Sequence, residues 1–201
     1  MTLLVGAIIA AAGASRRLGS PKALLAGADG RPFVRHLVDV FTGAGCAPVV
    51  VVLGPGGERV LEATGGNLDP ALVAFNRDTH TEMIDSLRLG ERYLPATVAL
   101  CAVTPVDAPF ATPALVRALV AAACAAATGA AAVPVTPTGT RAHPVVLPRT
   151  ALWRPEAAGG VRALLESGAI PVTSVAWDDE RIAADVNTPA DHASLFPEAK
   201  T

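Results

Sequence analysis

Four short segments carry the residues whose types and spacing could do chemistry. Between Ala10 and Leu25 the chain reads AAAGASRRLGSPKALL. Gly13 and Gly19 let the backbone come close to a phosphate and turn N–H groups toward it. Arg17 and Lys22 add two cations, enough to neutralise part of a triphosphate. Lysine is otherwise almost absent, with Lys200 the only other one against fourteen arginines, which marks Lys22 out from a random surface charge. The loop fits neither common phosphate pattern. Ser20 and Pro21 separate Gly19 from Lys22, unlike a Walker loop, and no G-x-G-x-x-G is present. An ordinary strand-to-helix loop with solvated arginines is the competing account.

The second segment is VTPVDAPF, where Asp107 falls just past an apolar run. A hard cation such as Mg²⁺ favours a carboxylate there, with phosphate and water filling its other positions. The alternative is a loop aspartate that caps the helix starting at Thr112. In the third, ADVNTPADH, Thr188 and Asp191 have capping-box spacing, which accounts for those two residues alone. Asp185 and Asn187 are left over, and their spacing aligns them on one face of a strand. The fourth, FNRDTHTEMIDSLRLG, holds Asn76, Met83, Ser86, Leu87 and Gly90.

These segments need a scaffold, and the hydrophobic pattern supplies one. Leu3–Ala11, Pro48–Leu53, Val98–Val103 and Ala130–Val135 are short apolar runs without polar alternation, as expected for strands covered on both faces. Helical patterns lie between them. Pro32–Thr42 puts Phe33, Leu37, Val40 and Phe41 on one stripe, and Glu82–Leu94 does so with Met83, Leu87 and Tyr93. Thr112–Ala127 starts with a Thr-Pro pair suited to N-cap and first helical position. Gly160–Ser167 and Pro189–Leu195 are later helices. The alternation argues for one α/β domain over residues 1–201, with a mostly parallel sheet and helices on both faces. Ala142–Leu147, with the loop near Pro137–Thr140, reads as a small flap. In such sheets ligands bind beyond the carboxyl ends of strands, where the first two segments lie.

Composition removes several functions. The chain is 51% apolar, with 41 alanines and 23 valines, which excludes a disordered segment. Only 4% is aromatic and the net charge is −2, so there is neither a stacking surface nor a basic field for nucleic acid. The mean hydropathy of +0.43 raises the question of a membrane. The longest apolar stretch, Ala111 to Val135, is broken by Arg117, Gly129 and Pro134, too soon for a span of about 20 residues. Leu3–Ala12 has the length of a signal-peptide core, yet Arg16 and Arg17 follow it where a leader needs charge in front, so a buried strand is the better account. Cys46, Cys101 and Cys124 form no metal-ligand spacing, two of them lie in apolar runs, and a reduced cytoplasm is the simplest compartment.

The first segment resembles the motif L-A-A-G-x-S-x-R-M-G-x-x-K of MobA-like nucleotidyltransferases, matching at Ala11, Ala12, Gly13, Ser15, Arg17, Gly19 and Lys22. Ala10 and Leu18 replace the family's Leu and Met. Asp107 matches the aspartate of its D-x-P element. The third segment is similar to the family's D-[IV]-[DN]-T-P-x-D, and the fourth to N…G-M-x-x-S-L-x-x-G, with Glu82 in place of the glycine. RAHPVVLPR resembles a G-H-P-V segment, keeping His143-Pro144-Val145 and replacing the glycine with Ala142.

The resemblance implies a Rossmann-like three-layer fold of the nucleotide-diphospho-sugar transferase type. It also implies transfer of a nucleoside monophosphate to a phosphate-bearing acceptor with release of pyrophosphate. Arg17 and Lys22 would hold the distal phosphates. Mg²⁺ would sit on Asp107 and Asn187, with Asp185 in support. Asn76 and Ser86 would lie near the nucleoside, and His143 near a substrate. Ala12 before the motif glycine goes with cytidylyl transfer, so CTP is favoured over GTP, and the molybdenum cofactor cytidylyltransferase (MocA-like) branch is most similar. Its acceptor is molybdenum-loaded molybdopterin, and its partner a molybdoenzyme or a maturation factor. A sugar-1-phosphate or polyol-phosphate nucleotidyltransferase, and a non-catalytic nucleotide-binding accessory protein, are the other readings.

Overall fold

The computed structural model describes residues 4–13 and 18–197. Seven strands, β1 (Leu4–Ala11), β2 (Val49–Leu53), β3 (Leu72–Phe75), β4 (Val98–Pro105), β5 (Ala131–Val135), β6 (Val145–Pro148) and β7 (Val172–Ala176), form one sheet in the order β3-β2-β1-β4-β6-β5-β7. Six helices accompany them: α1 (Phe33–Gly43), α2 (Gly57–Ala63), α3 (Met83–Glu91), α4 (Pro113–Ala125), α5 (Gly160–Glu166) and α6 (Pro189–Leu195). All pairings are parallel except those of β6, which runs antiparallel to both β4 and β5.

The absence of polar alternation in the central strands has a simple cause. Every residue of β2 is buried, as is β1 from Val5 to Ala10. Successive side chains point to opposite faces. Ala7 and Ile9 accordingly join a core shared with α1 and α4, while Ile8 and Ala10 join one shared with α3 and α5. The α1 stripe is as expected: Phe33, Leu37 and Phe41 are wholly buried, each contributing roughly 1.5–3 kcal/mol by transfer from water. Thr112 caps α4, its hydroxyl accepting from the Leu115 N–H at 3.2 Å. Helix α3 approaches the sheet so closely that a Cβ on Gly90 would lie 2.6 Å from Ile8 Cγ2.

Several sequence expectations need correction. The stretch read as a flap contains β6, which sits inside the sheet because Val145–Leu147 are buried between β4 and β5. In α3 the buried apolar stripe is Ile84 and Leu87; Met83 is exposed, and Tyr93, also exposed, lies beyond the helix end. Residues 184–187 form no strand, so Asp185 and Asn187 are not set by alternation. Among the cysteines Cys46 and Cys101 are buried, and Cys124 is exposed although it lies in the alanine run. Burial pushes the Cys46 and Cys101 thiols up to about 12. Leu3 lies outside the described residues.

A buried carboxylate ties the two halves of the sheet's α3 side together. Glu91 accepts from the Arg149 guanidinium and, at 3.0 Å, from Trp153 Nε1. Arg149 also donates to the Pro95 carbonyl at 2.6 Å, so the charge is compensated as a buried ion needs to be.

Candidate active site

The chain runs from β1 outward through β2 to β3, then returns to add β4 on the other flank of β1. This reversal leaves a crevice beyond the carboxyl ends of β1 and β4, the usual ligand position in an open α/β sheet. The two ends are level, Ala10 pairing with Pro105, and the Val106 N–H donates to the Ala10 carbonyl at 3.0 Å. A cavity of about 740 Å³ opens there, bordered by Ala11, Ala12, Gly13, Lys22, Asp107 and Asn187 among others. Its size lies in the range of roughly 300–1,000 Å³ found for small-molecule sites.

Three residues far apart in sequence meet at its floor. Lys22, at the start of a single 3-10 turn, donates from Nζ to Asp107 Oδ2 at 2.5 Å and to Asn187 Oδ1 at 2.7 Å. Lys22 and Asp107 are largely covered, with side-chain exposures of 16% and 20%. Asp107 therefore does not cap α4; Thr112 does that itself. Asn187 is held in place from behind. The Val186 N–H donates to the Asp107 carbonyl at 2.9 Å, joining the loops that carry Asp107 and Asn187 directly. Asp191 Oδ2 accepts from the Asn187 N–H at 3.0 Å and the Thr188 N–H at 2.8 Å, while Thr188 Oγ1 accepts from the Asp191 N–H. The capping box of α6 thus also orients the residue in front of it.

Asp185 borders the same cavity, and its carboxyl is raised above the ordinary range, first by burial and then by the Asp107 charge, with Lys22 opposing. Among the described residues two carboxylates, Asp107 and Asp185, thus share this part of the cavity with a single ammonium, Lys22. His143 also lines the cavity. Burial holds its imidazole below the ordinary value, and its Nδ1 is buried without a hydrogen-bond partner among the described residues.

Ser86 borders the cavity, whereas Asn76 stands behind it. Asn76 Nδ2 donates to Thr81 Oγ1 at 2.9 Å and to Ser86 Oγ at 3.0 Å, so Asn76 braces the wall that Ser86 presents. Glu82 is the N-cap of α3 with φ −88° and ψ 171°, ordinary extended backbone in which glycine is not required. Its N–H donates to Asp85 Oδ2 at 3.1 Å. Gly19 borders a smaller adjoining hollow of about 280 Å³, with Gly56 and Arg59 opposite. Ser15 and Arg17 lie outside the described residues.

Sequence reasoning missed Gly54. A Cβ there would lie 2.3 Å from the Ala12 carbonyl oxygen, so the loop after β2 presses directly on the loop after β1. The signal was available in Gly54-Pro55-Gly56-Gly57, three glycines directly after a buried strand. Pro55, Asp78 and Thr81 on the cavity wall likewise went unread.

A glycine-containing loop, a cation and an oxygen-rich floor at the switch point of a mostly parallel sheet define the class as a nucleotide-handling α/β protein. The chain belongs to the MobA-like NTP transferase domain family, whose model matches residues 7–173, and it is accordingly a nucleotidyltransferase of that family. No curated protein matches the chain. Among solved structures it is similar to Rv0371c from Mycobacterium tuberculosis H37Rv, with 28% identity, 98% of this chain and 100% of that one covered, and a TM-score of 0.83. A second structure of Rv0371c, a complex with manganese, aligns at 27% identity over 98% and 100% of the two chains, with a TM-score of 0.79. A nucleotidyl transferase from Methanothermobacter thermautotrophicus shares the fold, with a TM-score of 0.80 at 19% identity over 98% and 97%.

Proposed function

We propose that this chain, acting as one domain over residues 1–201, transfers CMP from CTP to a phosphate-bearing acceptor and releases pyrophosphate. The acceptor proposed is molybdenum-loaded molybdopterin. The observation that carries the reading is the meeting of Lys22, Asp107 and Asn187 beneath the Ala11–Gly13 loop. The lean to CTP rests on Ala12 before Gly13, which resembles the cytidylyl-transferring branch.

The floor suits a hard divalent cation. Its donors are a carboxylate oxygen of Asp107 and an amide oxygen of Asn187, and the Lys22 ammonium already stands between them as a positive charge. Mg²⁺ is the proposed ion, with Asp107 and Asn187 as ligands and Asp185 beside them. When bound it would neutralise charge developing on the transferred phosphate. The manganese complex of Rv0371c supports a divalent-metal site in this fold.

The protein's own share is positioning and electrostatics. Backbone N–H groups of the Ala12–Gly13 loop and the cations Arg17 and Lys22 hold the triphosphate and stabilise the departing pyrophosphate. A phosphate nucleophile is already ionised at neutral pH, so no side chain need act as general base. Ser86, braced by Asn76, faces the nucleoside, and His143 lies on the acceptor side of this scheme. The product would pass to a molybdoenzyme or its maturation factor in the cytoplasm.

The test has two stages. Binding of CTP, GTP, ATP and UTP with Mg²⁺ is measured first, and CTP binding tightest is the expected result. Failure to bind any of the four overturns the reading. Pyrophosphate release is then followed with molybdopterin and with a panel of sugar and polyol phosphates. Release with a sugar phosphate alone replaces the acceptor, and binding without release to any acceptor makes the chain a nucleotide-binding accessory protein. Replacing Ala12 with glycine should move preference toward GTP; no shift removes Ala12 as the base selector.

A further inference from the structure

The Lys22 ammonium occupies the position between Asp107 and Asn187 that a divalent cation would take, at 2.5 and 2.7 Å from their oxygens. Two of its three N–H donors are committed to these oxygens, and a divalent ion cannot share the position, so such an ion could enter only as the ammonium leaves. A second observation bears on the same floor. Among the described residues no three histidine, cysteine or acidic side chains cluster closely enough to form a metal cage. Asp107 and Asn187 offer such an ion two side-chain oxygens, and phosphate and water would supply the rest of its shell.

We infer that Lys22 is the resident cation of this floor and that metal and nucleoside triphosphate displace it together. In the ligand-free protein Lys22 keeps the Asp107 and Asn187 oxygens neutralised and close, and excludes a bare divalent ion. When the triphosphate arrives, its distal oxygens attract the ammonium away from the floor. The vacated oxygens and the phosphates then complete the ion's shell. The same side chain therefore opposes metal binding in one state and favours nucleotide binding in the other. Metal and triphosphate affinities become coupled, and by linkage each raises the other by the same factor. The monophosphate, which lacks the distal oxygens, does not release the lysine. This inference rests on the reading of the site as one for nucleoside triphosphate and metal.

The experiment is a Mn²⁺ titration of the full chain, with free ion followed by electron paramagnetic resonance, in wild type, Lys22→Met and Lys22→Gln. Circular dichroism confirms folding of each, and Asp107→Ala serves as the variant that loses the ligand. Without nucleotide, both Lys22 variants should bind Mn²⁺ about five- to tenfold more tightly than wild type, the effect of removing one part-buried ion pair that the metal must otherwise break. With saturating α,β-methylene-CTP, wild-type Mn²⁺ affinity should rise at least tenfold, and the rise should be much smaller in the Lys22 variants. CMP should produce no such rise. Equal or weaker Mn²⁺ binding by both folded Lys22 variants in the absence of nucleotide overturns the inference. Because that comparison contains no nucleotide, it stands apart from the proposed activity: failure of every triphosphate to bind wild type would sink the functional reading instead.

Discussion

Substituting Gly54 by alanine separates loop geometry from overall stability. The added Cβ would stand 2.3 Å from the Ala12 oxygen and 2.8 Å from its carbonyl carbon and Cα, where ordinary contact begins near 3.4 Å. The obstacle is backbone, so no rotamer change relieves it. The Ala12–Gly13 loop or the loop after β2 must recede by about 1 Å, at a cost of roughly 1–3 kcal/mol. For a chain of this size that lowers Tm by about 2–10 °C. A displacement of this kind in a substrate-positioning loop weakens productive binding by about 10- to 100-fold. The control is Gly6→Ala at the opposite end of β1, whose Cβ would meet Leu94 Cδ2 at 2.7 Å. Its near neighbours are side-chain methyls of Leu94 and Val98 with no backbone among them, at the end of β1 away from the cavity, so nucleotide affinity should stay within about twofold of wild type. The assay is CTP binding by calorimetry at a temperature well below both melting points, alongside thermal denaturation. A folded Gly54→Ala protein with wild-type CTP affinity refutes the reasoning, as does an equal loss in Gly6→Ala.

Asp107→Ala should remove metal-dependent pyrophosphate release, by about 100-fold or more, while its Tm stays within a few degrees because a part-exposed ion pair is worth only about 0–1 kcal/mol. Unchanged turnover in the folded variant would eliminate Asp107 from the site. Lys22→Ala should weaken CTP about tenfold and CMP less than twofold, and equal losses would mean that Lys22 does not meet the distal phosphates. At pH 8 a thiol reagent should label one cysteine per native chain, Cys124, and three after denaturation, since burial holds Cys46 and Cys101 protonated to about 12. Rapid labelling of two or three thiols in the native protein contradicts that burial.

The central strands and the large helices were legible because burial on both faces leaves an unbroken apolar run, as in Val49–Leu53. The sheet's margins were not. Leu72 in β3 is exposed and β7 is only partly covered, so neither shows a clean period. Helix α2 is seven residues long and begins at a glycine pair, a pattern that reads as a turn. The proline-flanked Val145–Pro148 resembled a surface flap because no local signal tells a short strand that it will be inserted between two others. Within the site, Asp107, Asp185, Asn187 and Lys22 could each be singled out by type. The family resemblance implied one metal site for Asp107, Asn187 and Asp185, but from the residues alone their meeting with Lys22 could not be read, since Lys22 and Asn187 are 165 residues apart and the link through the Val186 N–H is a main-chain bond that any residue could make.

The antiparallel insertion of β6 has a consequence for biosynthesis. Chain growth finishes β4 and β5 before β6 exists, yet β5 is not the neighbour of β4. Until residues 145–148 leave the ribosome, β4 presents an unpaired edge whose residues Leu100–Val103 are buried in the finished molecule. Such an edge is a template for pairing with another chain. A nascent protein halted before Val145 is therefore the aggregation-prone species, and the last third of the sequence closes the sheet rather than merely extending it.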